Sequence, residues 1–381
     1  MTKHFDIAII GGGIAGFSLA HFLGDARKVL VLEQESAFGY HTTGRSAGEF
    51  SYSHHTPLVG KLAKLSFEFF NKPAPSFSET NLLNPRGAIY IAAEEKSEKL
   101  AAVFDEERQH SREMGMLTVD EAMQRAPILN PDFFTSAFYD PNCWDIEVAN
   151  LFQSYIKSAK KSGVVAHTKA GLLSASRKQS IWHIETAAGT FTAATIVNAS
   201  GAWADKTASL LGANSIGITP LRRTIITVDL PPEIIASSLP EVAEIEEDFY
   251  MKPDAGKLMI SPADENLSEP CDAQPEELEI AWAMHWLNES TTLNARHVSH
   301  SWAGLRSFAP DRAPVVGWDT KVEGLFWLAG QGGFGIQTSP ALGRLAADLL
   351  LGLPLPDDFK ATGISSAELD PSRFRASIAK I

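Results

Sequence analysis

Cysteine, positive charge and long apolar runs are all scarce in this chain of 381 residues. The two cysteines, Cys143 and Cys271, are too few and too far apart for a disulfide framework or a Cys-x-x-Cys site. We therefore predict two free thiols and no metal site. The net charge of −13 disfavours a nucleic-acid or anionic-membrane partner, because phosphate groups would be repelled.

Membrane and export signals are missing as well. Apolar runs stay well below the length of about 18 residues that spans a bilayer. The first strand is predicted to begin near Phe5, which leaves no room for a charged segment followed by an apolar leader. These features predict a cytoplasmic protein without a transmembrane segment, whose partner is a small molecule. The chain is long enough for one large domain or two intergrown ones.

The most informative stretch that is present runs from Phe5 to Glu33. Apolar residues from Phe5 to Ile10 and from Val29 to Leu32 predict two buried parallel strands. The segment between them has the apolar spacing of a helix. Strand, glycine-rich turn, helix and strand in one short window are typical of a dinucleotide-binding unit, whereas a structural turn in another α/β protein is the alternative.

The turn itself has the pattern Gly11-x-Gly13-x-x-Gly16. In such units the first glycine permits the tight turn, the second lets the backbone approach a pyrophosphate, and the third allows the helix to pack on the strand. Glu33 ends the second strand, where a carboxylate can accept hydrogen bonds from ribose hydroxyls. This unit alone does not distinguish NAD from FAD, because both present adenosine diphosphate to it.

Two later strands also end in small residues. The run 194–197 leads into Asn198-Ala199-Ser200-Gly201-Ala202-Trp203, and the run 325–329 leads into Gly330 and a glycine-rich segment up to Thr338. A helix is predicted to follow the second segment, through Leu351. Small residues at strand ends suit a cofactor that lies close to the backbone, so one bound molecule could be held at both ends.

Residues 44–48 match the Gly-x-Ser-x-Gly pattern of serine hydrolases. That pattern forms a nucleophile elbow only when a strand precedes it and a helix follows it. The flanking segments are poor in strand and helix signals, so we favour a loop that wraps a cofactor. The hydrolase alternative predicts labelling of Ser46 by an acylating probe.

Together these motifs resemble the D-amino-acid oxidase and dehydrogenase family of flavoproteins. The resemblance covers nearly the whole chain and is strongest to the D-arginine dehydrogenases, at residues 39–47, 249–256 and 302–308. It implies an α/β fold (α+β overall) in which a Rossmann-like FAD-binding domain is interleaved with a substrate-binding domain built on a mixed β-sheet. Residues 1–50, 145–215 and 310–381 would form the first domain, and 51–144 and 216–309 the second.

The family's motifs also imply which residues contact the cofactor, and they favour FAD over NAD. Both cysteines lie outside the segments expected near the flavin, so the FAD is predicted to be noncovalent. The residues implied to bind FAD are Gly11, Gly13, Ile14, Ala15, Gly16, Glu33, Thr43, Gly44, Arg45, Ser46, Ala47, Ala170, Ala199, Gly201, Trp203, Gly330, Gly332, Gly333, Gly335, Ile336, Gln337 and Thr338.

The substrate site is implied by the same resemblance. Family members bind the substrate α-carboxylate with arginine and tyrosine, and Arg306, Arg223 and Tyr250 stand at the matching positions. A bidentate guanidinium has the best shape for a carboxylate. Three further pocket positions differ from the D-arginine enzymes: Ala88 replaces an acidic residue, and His54 and Glu49 replace a phenol and an imidazole. Glu49 could substitute for the missing acid from another wall.

The implied reaction is FAD-dependent oxidative deamination of a D-amino acid, with hydride transfer from Cα to flavin N5 and hydrolysis of the imino acid to a 2-oxo acid and ammonia. One alternative is a secondary-amine oxidase of the glycine or sarcosine type. Another is oxidation of a 2-hydroxy acid, which needs a base for the hydroxyl proton, and His54 is the candidate. No motif specifies the electron acceptor.

Overall fold

The computed structural model describes residues 3–52, 56–108 and 113–374. The strands are β1 Lys3–Ile10, β2 Val29–Leu32, β3 Glu49–Ser51, β4 Leu83–Pro85, β5 Ala88–Ala92, β6 Gly115–Leu117, β7 Ser136–Asp140, β8 Cys143–Ile146, β9 Val165–His167, β10 Leu172–Lys178, β11 Ile181–Thr186, β12 Gly189–Asn198, β13 Thr219–Asp229, β14 Glu241–Glu244, β15 Tyr250–Asp254, β16 Lys257–Ser261, β17 Asn266–Leu267, β18 His300–Phe308, β19 Val315–Trp318, β20 Leu325–Ala329 and β21 Gln331–Gly332. The helices are α1 Ile14–Leu23, α2 Pro57–Asn71, α3 Ser97–Glu107, α4 Val119–Arg125, α5 Val148–Lys161, α6 Ala204–Leu210, α7 Glu277–Ser290, α8 Ser339–Leu350 and α9 Asp357–Ala361. Among the helices so described, none combines the length and apolarity needed to cross a bilayer.

The first sheet is centred on β1, which pairs in parallel with β2 on one side and β12 on the other. The carboxyl end of β12 also pairs in parallel with β20. All four residues of β2 are buried, as expected for a parallel strand covered on both faces. Because β1, β12 and β20 end at the same edge, the glycine-rich turns that follow them meet there.

The second sheet has the order β21-β18-β13-β16-β15-β14-β5-β7-β6. Its long antiparallel pair β13 and β18 places Leu221 opposite Arg306 and Arg223 opposite Gly304. Since side chains alternate along a strand, Arg223 and Arg306 lie on the same face. The mixed α/β character and the mixed sheets agree with the predicted fold class.

The two sheets draw on different parts of the chain. The first uses strands within 3–32, 165–198 and 315–329, and the second uses strands within 88–140 and 219–308 plus β21. The domain boundaries themselves stay a prediction. A small third sheet, β3-β8-β4, pairs Glu49 with Asp145 and so links the cofactor loop to the segment that precedes α5.

One local element is longer than the sequence indicates. The run 194–197 is the end of a strand, β12, that begins at Gly189; its first half pairs with β11 and its second half with β20. Helix α8 begins at Ser339, directly after the glycine-rich segment that ends at Thr338, as predicted.

Helix α1 packs a histidine into an aromatic cluster, with consequences for stability. The ring of His21 lies within 4.8 Å of the Phe77 ring centroid and 5.4 Å of that of Tyr155. Its Nδ1 is 2.7 Å from the Ser158 hydroxyl. Burial lowers the pKa of His21 to about 4. The imidazole is therefore neutral in the folded chain at neutral pH.

We expect the folded state to lose stability in mild acid because of His21. Its pKa is lower in the folded chain than in the unfolded chain, so stability is complete above pH 6.5 and falls as the pH drops towards 4. The loss at pH 5 should be roughly 2 kcal/mol. Urea unfolding of the wild type and of His21→Phe at pH 7 and pH 5 measures it. Equal pH dependence in both proteins would contradict the prediction.

Candidate active site

A cavity opens between the carboxyl edge of the first sheet and one face of the second. Residues of both sheets and of the loop 42–49 line it. Of the residues implied by the sequence, those that line the cavity are Gly13, Ile14, Ala15, Thr43, Arg45, Ser46, Ala47, Glu49, Ala199, Gly201, Arg223, Tyr250, Arg306, Gly330, Gly332, Gly333, Gly335, Ile336 and Gln337. Segments that are far apart in sequence therefore converge on one cavity.

Some implied residues are not among the described residues that line the cavity: Gly11, Gly16, Glu33, Gly44, Ala170, Trp203, Thr338 and Ala88. Ala88 is buried in β5, and Tyr90, two residues along the same face, reaches the cavity instead. His54 lies outside the described residues, so its proposed role as a base stays a prediction.

The three glycines of the first turn have separate steric roles. A Cβ at Gly11 would overlap the carbonyl oxygen of Ala199, and the φ of Gly11 is +112°. A Cβ at Gly16 would overlap the carbonyl oxygen of Gly11. At Gly13, by contrast, a Cβ would meet only Thr43 Oγ1, at 3.1 Å. The protein therefore requires Gly11 and Gly16 for its own packing, and Gly13 keeps backbone open towards the cavity, as a pyrophosphate requires.

Glu33 supports the same turn from behind. Its Oε2 accepts a hydrogen bond from Gly12 N at 2.8 Å, and its Oε1 accepts one from Glu35 N at 2.9 Å. The side chain is buried. Glu33 therefore holds the turn and places a negative charge at the end of β2, where a ribose of the cofactor is expected.

Hydrogen bonds hold the loop 42–48 against helix α1 and the second sheet. Thr43 Oγ1 accepts a hydrogen bond from Ile14 N at 3.0 Å, at the start of α1. The guanidinium of Arg45 donates to the carbonyl oxygens of Ala273 and Ala303 and pairs with Asp272. Arg45 thus contributes its backbone to the cavity and uses its side chain to hold the loop in place.

Ser46 does not stand on a nucleophile elbow. A 3-10 turn over Thr42–Arg45 precedes it, and β3 begins three residues after it, at Glu49. Its hydroxyl accepts a hydrogen bond from Gly48 N at 3.1 Å. The strand-turn-helix context that the hydrolase alternative needs is not formed.

A cationic clamp occupies one side of the cavity. Arg306 Nη2 donates to the Tyr250 hydroxyl at 3.3 Å. This is the one hydrogen bond that the Arg306 side chain makes with the described residues. Gly333 passes beside it so closely that a Cβ there would lie 3.2 Å from Arg306 Cδ. The guanidinium is therefore positioned by its neighbours while most of its donors face the cavity, as needed for a carboxylate ligand.

Arg223 has a different environment from Arg306. Its Nε donates to the Asp264 carbonyl oxygen at 2.7 Å, and its Nη2 lies 3.3 Å from Glu265 Oε1. Burial lowers the pKa of Arg223, and the positive charge of Arg306 lowers it further. Because Asp264 and Glu265 already engage two of its N–H groups, Arg223 has fewer donors left for a ligand than Arg306.

Another wall of the cavity is acidic. Glu49 and Glu241 both line it, and their carboxylate oxygens lie within 4.8 Å of each other. Burial raises the pKa of Glu241 well above its usual range, and the neighbouring Glu49 raises it further. The site therefore disfavours a second negative charge at Glu241.

Cys143 and Lys252 lie close to the acidic pair. Cys143 Sγ lies 3.8 Å from Glu241 Oε2, and burial raises the pKa of that thiol. Lys252 Nζ lies 2.7 Å from Asp145 Oδ1 and donates to the Gly48 carbonyl oxygen at 3.3 Å. Possible ligand atoms of Glu49, Cys143 and Glu241 lie within 4.8 Å of one another, so the absence of a metal site stays a prediction.

Sequence reasoning did not identify several other lining residues, among them Tyr90, Glu241 and Ser307. Glu241 lies beside Ala88, and Ala243 lies between Tyr90 and Tyr250 on the neighbouring strands. Ser307 directly follows Arg306. The two-residue period of the strands would have identified Tyr90 from Ala88, but the pairing of β14 with β5 is not visible in the sequence.

Known proteins resemble this chain over most of its length. The profile of the family described as DAO, FAD dependent oxidoreductase, matches residues 6–349. Glycine oxidase of Geobacillus kaustophilus (strain HTA426) is 25% identical over 364 residues, covering 92% of this chain and 94% of that protein. Mitochondrial dimethylglycine dehydrogenase of Rattus norvegicus is 24% identical over 399 residues, but the chain spans only 45% of its length.

Solved structures show the same fold. Glycine oxidase from Geobacillus kaustophilus superposes with a TM-score of 0.80 at 23% identity, over 93% of this chain and 96% of that one. L-proline dehydrogenase from P. horikoshii superposes with a TM-score of 0.83 at 19% identity, over 99% of both chains. The particular resemblance to the D-arginine dehydrogenases is corrected: these relatives are glycine oxidases and dimethylglycine dehydrogenases, which share the family but not that substrate.

Proposed function

The chain belongs to the DAO family of FAD-dependent oxidoreductases, and from that premise we propose that it oxidises the amine of a small amino acid of the glycine or sarcosine type. The family and the similar proteins support FAD-dependent amine oxidation as the activity. The choice of glycine-type substrate over a D-amino acid is our proposal, and it replaces the D-amino acid expected from the sequence.

The proposal rests on the clamp formed by Arg306 and Tyr250. Its free donors face the cavity and match a carboxylate, which every α-amino acid and N-alkylglycine carries. Arg223 adds a second positive charge beside it. A substrate held by its carboxylate has its Cα and nitrogen directed away from Arg306, towards the remaining cavity walls.

The charge of the acidic wall narrows the choice further. In a bound zwitterionic amino acid, the carboxylate lies at the clamp and the ammonium group lies on the side of the Glu49–Glu241 pair. Each charge of the substrate then faces protein groups of opposite sign. A second carboxylate on the substrate would face that negative wall and be repelled. The site therefore suits amines with a single carboxylate.

The protein's part in the reaction is binding, orientation and electrostatics. Bound noncovalently, FAD would supply the hydride acceptor, its flavin N5. Arg306 and Tyr250 fix the substrate carboxylate, which limits the positions that Cα can take. Loss of a hydride from Cα and a proton from nitrogen leaves an imine, and water hydrolyses it to a 2-oxo acid and ammonia or an alkylamine.

Two other substrate classes are less well supported. Oxidation of a 2-hydroxy acid needs a base for the hydroxyl proton. No histidine is among the cavity-lining residues within the described ranges. For D-arginine, the position of Ala88 offers no carboxylate, although Glu49 and Glu241 supply negative charge on another wall.

Anaerobic bleaching of the flavin tests the substrate class. We expect glycine and sarcosine to reduce the purified protein faster than lactate, because amine oxidation needs no base for a hydroxyl proton. They should also react faster than D-arginine, because the position of Ala88 offers no carboxylate for a guanidinium. Iminodiacetate should be slow, because its second carboxylate would face the negative wall. Reduction by lactate alone would refute amine oxidation, and faster reduction by D-arginine than by glycine would favour the D-amino-acid reading.

A further inference from the structure

Tyr90, Ala243 and Tyr250 form a row across three neighbouring strands of the second sheet. Tyr90 pairs with Ala243 in one direction, and Ala243 pairs with Tyr250 in the other, so the three side chains lie on the same face. All three residues line the cavity. The row therefore forms a slot in the cavity wall, in which two phenol rings are the sides and the methyl group of Ala243 is the floor.

The slot has the width that a single cationic group needs. Neighbouring strands lie about 4.8 Å apart, which places the Cα atoms of Tyr90 and Tyr250 about 10 Å apart. A cation midway between them would be about 5 Å from each side, and cation–π attraction acts within about 6 Å of a ring centroid. The Tyr90 ring is held in place by stacking on Phe138, with centroids 4.8 Å apart. Because Phe138 lies on the side away from Ala243, the other ring face is turned towards the slot.

The charges around the slot place a substrate nitrogen in it. Glu241 lies two residues from Ala243 along β14 and therefore on the same face, and together with Glu49 it puts an acidic group at one end of the slot. The Tyr250 hydroxyl belongs to the carboxylate clamp with Arg306. In an α-amino acid only one carbon separates the carboxylate from the nitrogen. A substrate held by the clamp thus has its nitrogen beside the Tyr250 side of the slot.

The chemistry of the slot distinguishes a methylated nitrogen from a primary one. A primary ammonium group has three N–H donors, whereas the ring faces and the Ala243 methyl group offer it only weak acceptors. Each N-methyl group replaces one donor with an apolar surface that still carries positive charge. Aromatic side chains recognise methylated ammonium groups in this way. The acidic pair at the end of the slot is left for the remaining N–H group.

We propose that this slot binds the methylated ammonium group of the substrate, so that N-methylated glycines are the substrate class in preference to glycine. The inference deepens the proposed function and rests on its carboxylate clamp. Tyr90 and Ala243 become specificity-determining residues of the same site. Sarcosine should accordingly bind the oxidised holoenzyme more tightly than glycine.

Two carboxylates of the same shape test the slot without any turnover. Trimethylglycine carries a permanent positive charge, and 3,3-dimethylbutanoate has a carbon atom in place of its nitrogen. Neither compound can lose a proton from nitrogen to form an imine. We expect trimethylglycine to bind the holoenzyme roughly 2- to 30-fold more tightly, measured from the change in the visible flavin spectrum. Tyr90→Leu should lower this ratio, because one aromatic face is lost while the acidic pair remains. Equal dissociation constants in the wild type, or a ratio that Tyr90→Leu leaves unchanged, would overturn the proposal.

Two further variants serve as controls. Tyr139→Leu changes a phenol that pairs with Ile89 on the other face of the sheet and does not line the cavity, so the ratio should stay at the wild-type value. Ala243→Leu fills the floor of the slot and should weaken binding of trimethylglycine but not of acetate, which needs only the clamp. If Tyr90→Leu is not recovered folded, unchanged trimethylglycine binding in Ala243→Leu refutes the slot equally. The binding ratio is independent of oxidation: failure of every amine to reduce the flavin would contradict the proposed function, whereas a ratio of one in an amine-oxidising protein would contradict the slot alone.

Discussion

Replacing Arg306 with lysine is expected to lower kcat/KM for the amine substrate about 10- to 150-fold while the protein keeps its flavin. The positive charge is retained, but an ammonium group lacks the planar pair of donors that binds both carboxylate oxygens. Losing one charge-assisted hydrogen bond corresponds to about 1.5–3 kcal/mol. Stopped-flow reduction of the flavin over a range of substrate concentrations measures the change in apparent affinity.

Two comparison variants separate carboxylate binding from general effects of the Arg306→Lys change. Arg344→Lys alters an arginine that pairs with Asp358 outside the cavity lining, and it should behave like the wild type. Tyr250→Phe removes the hydroxyl that positions the Arg306 guanidinium and should show a smaller loss of the same kind. An Arg306→Lys protein with wild-type apparent affinity would remove Arg306 from the proposed carboxylate clamp.

Replacing Gly13 with alanine is expected to yield a folded protein with little FAD. The added Cβ would meet only the Thr43 hydroxyl, at 3.1 Å, so the fold should accept it with a small adjustment. The methyl group would instead occupy the backbone surface that the pyrophosphate approaches. An overpacking cost of about 1–3 kcal/mol corresponds to roughly 5- to 150-fold weaker FAD binding.

Alanine variants of Gly11 and Gly115 serve as controls for this prediction. Gly11→Ala should destabilise the protein itself, because a Cβ overlaps Ala199 and the φ of +112° disfavours alanine. Gly115→Ala adds a Cβ with nothing within 4 Å and should change neither property. Flavin content per protein and the thermal midpoint distinguish the three variants. Full FAD occupancy in Gly13→Ala would show that the cofactor does not approach this turn.

Local steric rules made the cofactor side of the molecule predictable. The turn from Gly11 to Gly16 has a contiguous glycine pattern, and the neighbouring strand and helix bounds agree closely with the expected ones. The later glycine-rich strand ends were identified for the same reason, since small residues at the end of a buried strand have few other uses. The family, FAD and the mixed α/β fold could therefore be predicted from sequence.

The sequence by itself determined the nucleotide-binding framework and the candidate clamp residues, because their motifs are contiguous and their chemistry is local. Only the tertiary structure decided how the substrate side is assembled. Glu49 and Glu241 meet in one wall of the cavity although they come from distant segments, and Tyr90 takes the place in the cavity that was expected for Ala88. The physical reason is that strand pairing sets these neighbours, and a register is fixed by the packing of a whole sheet face and not by any one segment.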